Sequence, residues 1–238
     1  MLTRLLALLV VSGCAATVAP KPVVPPPPPA AEALHSSGVQ LPSGTFIPNL
    51  ATVKGEIVRY HDSGQWAAAI NKITEQAHAR LDELIPSARR PALVLDVDDT
   101  ALSTYALQRR LLFGFVESEW GRWMEDQSPP ANRGVLKLFN HARSRGVAIF
   151  FVTGRREHSR EATERQLRSA GYSGWTGVVL KPEAFENPSV VMFKSAARAQ
   201  IEAKGYEILV NVGDQWSDLD GGHSIASYKL PNPIYLIP

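Results

Sequence analysis

The sequence predicts an α/β fold: a parallel sheet with helices on both faces, and a small helical subdomain beside it. Apolar runs at 92–97, 147–152, 177–180 and 208–212, with a last one at 234–237, have the near-continuous apolar content of strands buried on both faces. Helical stretches lie between them at 133–145, 158–170 and 193–204. Each stops at a glycine (Gly146, Gly171, Gly205) suited to the left-handed position after a helix. Strand and helix therefore alternate, as they do in a parallel sheet covered on both sides.

The elements follow in order. Residues 1–13 read as a signal peptide: a short basic start with Arg4, then an apolar run at 5–11 too short to span a bilayer. The run closes on Val11-Ser12-Gly13-Cys14, the chain's one cysteine, and resembles a bacterial lipoprotein signal in which Cys14 carries the lipid. Such a cysteine leaves no thiol for a disulfide or for catalysis. Ala15 follows it, not the aspartate that favours inner-membrane retention, so the expected location is the cell envelope, lipid-anchored at the outer membrane and facing the periplasm. Residues 14–45 form a proline-rich tether, with Pro25 to Pro29 favouring extended polyproline structure. Residues 46–238 are long enough for one well-cored domain. That domain opens with two helices, one capped by Asn49 and stopped at Asp62-Ser63-Gly64, the other over 66–84. A formal charge of +2 without a basic run gives nucleic-acid binding no support.

Chemistry gathers where the strands end, which is where open α/β sheets bind ligands. The first strand ends in Asp96, Asp98 and Thr100, and strand alternation puts Asp96 and Asp98 on one side. Two carboxylates held that close repel unless a cation lies between them or one keeps its proton. The second strand ends in Thr153-Gly154-Arg155 and the fourth in Gly213-Asp214, with Asp218 four residues on; Lys194 opens a helix between the last two. Acidic ligands, a hydroxyl and an ammonium group suit a phosphate bound through Mg²⁺, which takes one or two carboxylates plus substrate oxygen. Asp99 reads as a cap for the following helix, Lys181 is a rival to Lys194, and Arg155 suits either phosphate or an ion pair. His61, His78, His141, His158 and His223 show no ligand-like spacing, which disfavours a histidine nucleophile. Trp120, Trp123 and Trp216 read as core, with Trp216 a candidate wall of the site.

The ordered set Asp-x-Asp-x-Thr, strand-end Thr, Lys, then Gly-Asp-x-x-x-Asp resembles the haloacid dehalogenase-like (HAD) phosphatases. It is closest to the subfamily IIIB acid phosphatases, with the class C lipoprotein enzymes and plant vegetative storage proteins. The stretches carrying the likeness include Tyr60-His61-Asp62-Ser63-Gly64, residues 95–103, Val152-Thr153-Gly154-Arg155, Phe193-Lys194-Ser195, residues 212–219 and Tyr228-Lys229-Leu230-Pro231-Asn232-Pro233. The resemblance implies a HAD-like sheet, a cap insertion at about 101–132, and a phosphomonoesterase working through an aspartyl-phosphate. In that scheme Asp96 is the nucleophile and Asp98 the general acid and base. Thr153 and Lys194 bind the phosphoryl group, with Arg155 as a further candidate. One Mg²⁺ per chain is held by Asp96, the Asp98 backbone carbonyl and Asp214, with Asp218 direct or through water. The implied partners are a small-molecule phosphomonoester, nucleoside monophosphates included, and a membrane through the lipid anchor; homodimerisation is left open. A phosphotransferase and a non-catalytic storage or binding lipoprotein are the alternatives. Related sequences show Asn and then Pro-Tyr after Leu102-Ser103, whereas this chain has Thr104-Tyr105-Ala106.

Overall fold

A computed structural model describes residues 38–186 and 189–237. The expected signal peptide, Cys14 and most of the proline-rich tether lie outside them. The chain divides into two compact units at Pro48/Asn49. In the first, the described residues form an antiparallel hairpin of β1 (Gly38–Gln40) and β2 (Phe46–Pro48). Of the two strands, β1 falls within the stretch read as tether (14–45) and β2 at the start of the stretch read as the domain. Val39, Phe46 and Ile47 favour strand, and Pro42-Ser43-Gly44 supplies the turn, with Gly44 at φ 82°.

The second unit begins with α1 (Leu50–Asp62) and α2 (Gln65–Leu84). Asn49 caps α1 as expected, its side chain accepting from the Ala51 N–H at 2.9 Å. The sheet is β3 (Pro91–Leu95), β4 (Ala148–Arg156), β5 (Gly177–Lys181), β6 (Glu207–Gly213) and β7 (Ala226–Lys229), in the order β5-β4-β3-β6-β7. All neighbours are parallel. The crossover helices are α5 (Arg133–Ser144), α6 (Arg160–Ser169) and α7 (Val190–Ala203). Between β3 and α5 the insertion forms α3 (Tyr105–Arg110) and α4 (Glu117–Asp126).

Alternation along β3 shows why the sheet is covered twice. Leu93 and Leu95 point into a core shared with Ala77 and Leu81 of α2 and Leu138 and Phe139 of α5. Ala92 and Val94 point the other way, against Phe193, Ala197 and Ile201 of α7. Helices α2 and α5 cross where α5 carries Gly134. A Cβ there would lie 2.5 Å from Thr74 Oγ1 and 2.8 Å from Asn71 Oδ1. Gly134→Val is therefore expected to destabilise the chain toward the upper end of about 1–3 kcal/mol, read as a lower denaturation midpoint at unchanged slope.

Two expectations change. The strand at 234–237 does not form; the fifth sheet strand is β7, earlier in the chain. Pro231 and Pro233 interrupt the backbone just before that apolar run, and its N–H and C=O groups go to side chains instead. Ile237 N–H donates to Gln215 Oε1, and its carbonyl accepts from Ser217 Oγ. Nor does Asp99 cap a helix. It stands at φ 55° in the loop after β3, a conformation aspartate tolerates, and accepts from Thr104 N–H at 2.8 Å, Thr104 Oγ1 and Tyr235 OH. Thr104 thus supplies the loop's anchor. Tyr105 stacks on His61 and donates to Asp62 at 3.0 Å, pinning α3 to the end of α1.

Candidate active site

The strand tips converge. Asp96 follows β3 directly, its N–H still bonded to Val212 O at 3.0 Å. Thr153, Gly154 and Arg155 close β4, Asp214 follows β6, and Lys194 enters from the first turns of α7. All of these but Thr153 line a cleft of about 440 Å³, together with Asp98, Lys181 and Asp218 among others.

Lys194 is the central cation. It is 5% exposed, and its Nζ donates to Asp96 Oδ1 at 2.6 Å and to Asp218 Oδ1. Burial opposes its charge, but the carboxylates of Asp218 and Asp96 outweigh burial and raise its pKa above the ordinary lysine value. Lys181 also lines the cleft, but the Asp96 contact belongs to Lys194. Asp218 is held on both oxygens, since Oδ2 accepts the Gln215 N–H at 2.9 Å. It can tuck beneath the tip of β6 only because residue 213 is glycine: a Cβ there would sit 2.3 Å from the Asp218 Cβ. Arg198, the arginine of the Lys-Ser-x-x-Arg stretch, is fully buried and donates to the carbonyls of Asp218, Asp220 and Gly222.

Asp214 is equally fixed. Thr100 Oγ1 donates to its Oδ1 at 3.1 Å, and Gln215 Nε2 and Asn232 Nδ2 each reach Oδ2 at 2.7 Å. Burial, then the charges of Asp218 and Asp99, push its carboxyl up to about 7. Burial and the neighbouring carboxylates likewise push Asp96 well above the usual range, with Lys194 pulling the other way. Asp96, Asp214 and Asp218 bring carboxylate oxygens within 4.8 Å of one another. Three acids and one ammonium leave an excess of negative charge, and an all-oxygen donor set suits a hard divalent cation.

Asp98 stands apart from that cluster. Its carboxylate makes a bidentate pair with Arg155, Nε to Oδ2 at 2.9 Å and Nη2 to Oδ1 at 2.7 Å. Arg155 Nη1 donates to Thr163 Oγ1 and Gln166 Oε1, so four of the five guanidinium N–H groups are already engaged. Of the two roles the sequence left open for Arg155, the structure shows the ion pair, in which it orients Asp98. Gln166 in turn donates to the carbonyls of Trp123, Met124 and Gln127, tying α4 to the same network. Arg155→Gln is expected to lower kcat by roughly 10–100-fold with little change in KM, since an outer hydrogen-bond partner is lost but no substrate contact. Steady-state kinetics on p-nitrophenyl phosphate check it.

Thr153 is buried at its strand tip, its Oγ1 accepting the Arg155 N–H at 3.2 Å, which leaves its hydroxyl proton to donate. Trp216, a candidate wall, is 60% exposed and lies off the cleft. The wall is instead Phe113, Phe115 and Trp120 of the insertion. Thr100, Gln215, Asn232 and Tyr235 carried no role of their own in the sequence; Asn232 was visible only as part of the Tyr-Lys-Leu-Pro-Asn-Pro stretch.

A family model described as HAD superfamily, subfamily IIIB (acid phosphatase), matches residues 36–238. The chain belongs to that family. Among the relatives it resembles are the stem 28 kDa glycoprotein of Glycine max and acid phosphatase 1 of Solanum lycopersicum. The first is 34% identical over 186 residues, 75% of this chain and 72% of that protein. The second is 36% identical over 152 residues, 62% and 60% of the two. Vegetative storage protein 1 of Arabidopsis thaliana is 32% identical over 149 residues, 61% of this chain and 55% of that protein. The class C acid phosphatase from Bacillus anthracis, solved with tungstate bound, has the same fold, with a TM-score of 0.63 at 19% identity over 77% of this chain and 86% of that one. Membership of that family makes the chain a phosphomonoester hydrolase.

Proposed function

We propose that the chain hydrolyses phosphomonoesters in two steps on Asp96, with Asp98 moving the proton and Mg²⁺ at the carboxylate cluster. The observation that carries this reading is the Lys194 ammonium on Asp96 Oδ1, beside a second acid held separately by Arg155. In the first step the free Asp96 oxygen attacks phosphorus, the ester P–O bond breaks, and the leaving alkoxide takes the proton of Asp98. In the second, Asp98 takes a proton from the water that attacks the aspartyl-phosphate, releasing inorganic phosphate and restoring Asp96. Lys194 and the Thr153 hydroxyl meet the phosphoryl oxygens, where transferring charge accumulates. Asp96, Asp214 and the Asp98 carbonyl would hold the Mg²⁺, with Asp218 bound directly or through water. Bound there, the metal would neutralise the excess carboxylate charge and screen Asp96 from an anionic substrate.

Nucleoside monophosphates are proposed among the substrates, since Phe113, Phe115 and Trp120 offer apolar faces beside the phosphoryl position. The lipoprotein-type Val11-Ser12-Gly13-Cys14 supports work outside the cytoplasm on an envelope membrane. Some relatives are named storage proteins, but this chain keeps Asp96, Asp98, Lys194 and Asp214 together, which favours catalysis. The test is p-nitrophenyl phosphate turnover by the full chain with and without EDTA. Activity lost in EDTA and restored by Mg²⁺ is expected; full activity without metal rejects the metal assignment. Added alcohol acceptors that divert phosphate from water would reveal a phosphotransferase.

Metal removal also carries a pH signature. The Asp214 carboxyl is raised to about 7 in the folded chain. A raised carboxyl adds stability fully below its unfolded value, near 4, and loses it as pH rises through about 7. The EDTA-treated chain is therefore expected to melt at a lower temperature at pH 8 than at pH 5, with Asp214 contributing on the order of 3 kcal/mol to that difference. Mg²⁺, competing with protons, should raise Tm most at pH 8. Asp214→Asn should flatten both trends; melting curves across pH check them.

A further inference from the structure

A second cluster lies at the opposite edge of the sheet from the cleft. Helices α2 and α5 run toward the starts of β3 and β4, and in their last two turns His78, Asp82 and His141 come together. His141 Nε2 is 2.9 Å from Asp82 Oδ1 and His78 Nε2 is 3.6 Å from Asp82 Oδ2, with the imidazole centroids 3.7 Å apart. One donor atom from each residue lies within 4.8 Å of the others. His78 and Asp82 are four apart on α2, so they share one face, and His141 faces them across the crossing that Gly134 keeps tight. Inward neighbours Ala77, Leu81, Leu138 and Ala142 are buried, which fixes both backbones.

We propose that His78, Asp82 and His141 bind a divalent transition metal of the Zn²⁺ type, clamping α2 to α5 outside the catalytic cleft. Two imidazoles and one carboxylate form a donor set that suits Zn²⁺ and its neighbours rather than Mg²⁺, with water completing a tetrahedron. One group competes: Arg145 Nη1 sits on Asp82 Oδ1 at 2.9 Å. The metal must share or displace that guanidinium, which makes Arg145 a lever on affinity. The three ligand side chains are partly exposed, so the metal can enter from solvent.

The test is calorimetric titration of the Mg²⁺-loaded full chain with Zn²⁺, alongside melting curves. The wild type should bind one Zn²⁺ equivalent more than either His78→Ala or His141→Ala. At about 100-fold excess over Kd its Tm should rise by roughly 5–10 °C. Losing a direct ligand should weaken this site by at least the roughly 10–100-fold typical of outer-shell losses. Arg145→Gln should bind Zn²⁺ more tightly than wild type, and all three variants should keep Mg²⁺-supported turnover of p-nitrophenyl phosphate. Equal Zn²⁺ stoichiometry in wild type and both histidine variants overturns the proposal. So does an Arg145→Gln chain that binds no Zn²⁺ beyond the equivalent retained by the histidine variants.

Discussion

Asp96→Asn is expected to abolish phosphatase turnover, by roughly 10⁴-fold or more, while the chain stays folded. The substitution is nearly isosteric, and an asparagine carbonyl can still accept the Lys194 ammonium that now lies 2.6 Å from Asp96 Oδ1. What is lost is the anionic oxygen that attacks phosphorus. Stability should hold or rise, because Asp96 is 6% exposed and its charge is opposed by burial and by Asp218. A site that stores like charge for catalysis gains stability when the charge is removed. Melting curves and steady-state kinetics on one preparation separate the two effects. An Asp96→Asn chain with kcat within tenfold of wild type would falsify the assignment of Asp96 as nucleophile.

The strand tips were legible because parallel strands advertise themselves twice, as apolar runs and as abrupt polar ends. Leu93-Val94-Leu95-Asp96 is both in four residues, and its neighbours Phe151-Val152-Thr153 and Asn211-Val212-Gly213-Asp214 repeat the pattern. Glycine stops made the crossover helices readable to within a few residues. The edge of the sheet was not readable: Ala226-Ser227-Tyr228-Lys229 carries little strand signal, and it pairs because β6 offers it a free side. Ile234 to Ile237 carries more signal and forms no strand, because its prolines and its bonds to Gln215 and Ser217 commit it elsewhere.

Roles that depend on a distant partner were hidden for a related reason. Arg155 next to Thr153 suggests phosphate as readily as an ion pair. Only the fold brings Asp98, 57 residues away, against its guanidinium. His78 and Asp82 have helix-face spacing that sequence could have offered. His141, the third member of their cluster, arrives from another helix 59 residues beyond Asp82. Phe113, Phe115 and Trp120 were visible as an aromatic insertion, but which rings would face the cleft depends on how α3 and α4 fold back.

Lys194→Met should destabilise the chain and silence it together, and the pH at which it does so tells why. Methionine matches the length of the lysine stem but leaves Asp96 and Asp218 buried without their shared cation. Removing one partner of a buried ion pair costs about 3–5 kcal/mol. Here one ammonium serves two carboxylates, so the upper end is expected. Tm at pH 8 should therefore fall by roughly 10 °C or more. Turnover should fall by at least roughly 10²–10³-fold, because the cation facing the phosphoryl oxygens goes with it. Without the ammonium, which pulls the Asp96 pKa down, the Asp96 carboxyl protonates more readily, so the Tm deficit should shrink as pH falls from 8 to 5. Mg²⁺ should recover part of the deficit at pH 8 without recovering activity. Lys194→Arg should not restore wild-type turnover, because a planar guanidinium cannot occupy a space shaped for a compact ammonium between Asp96 Oδ1 and Asp218 Oδ1. A Tm deficit equal at both pH values would mean that the loss is one of packing, and that the charge of Lys194 is not what holds the two acids together.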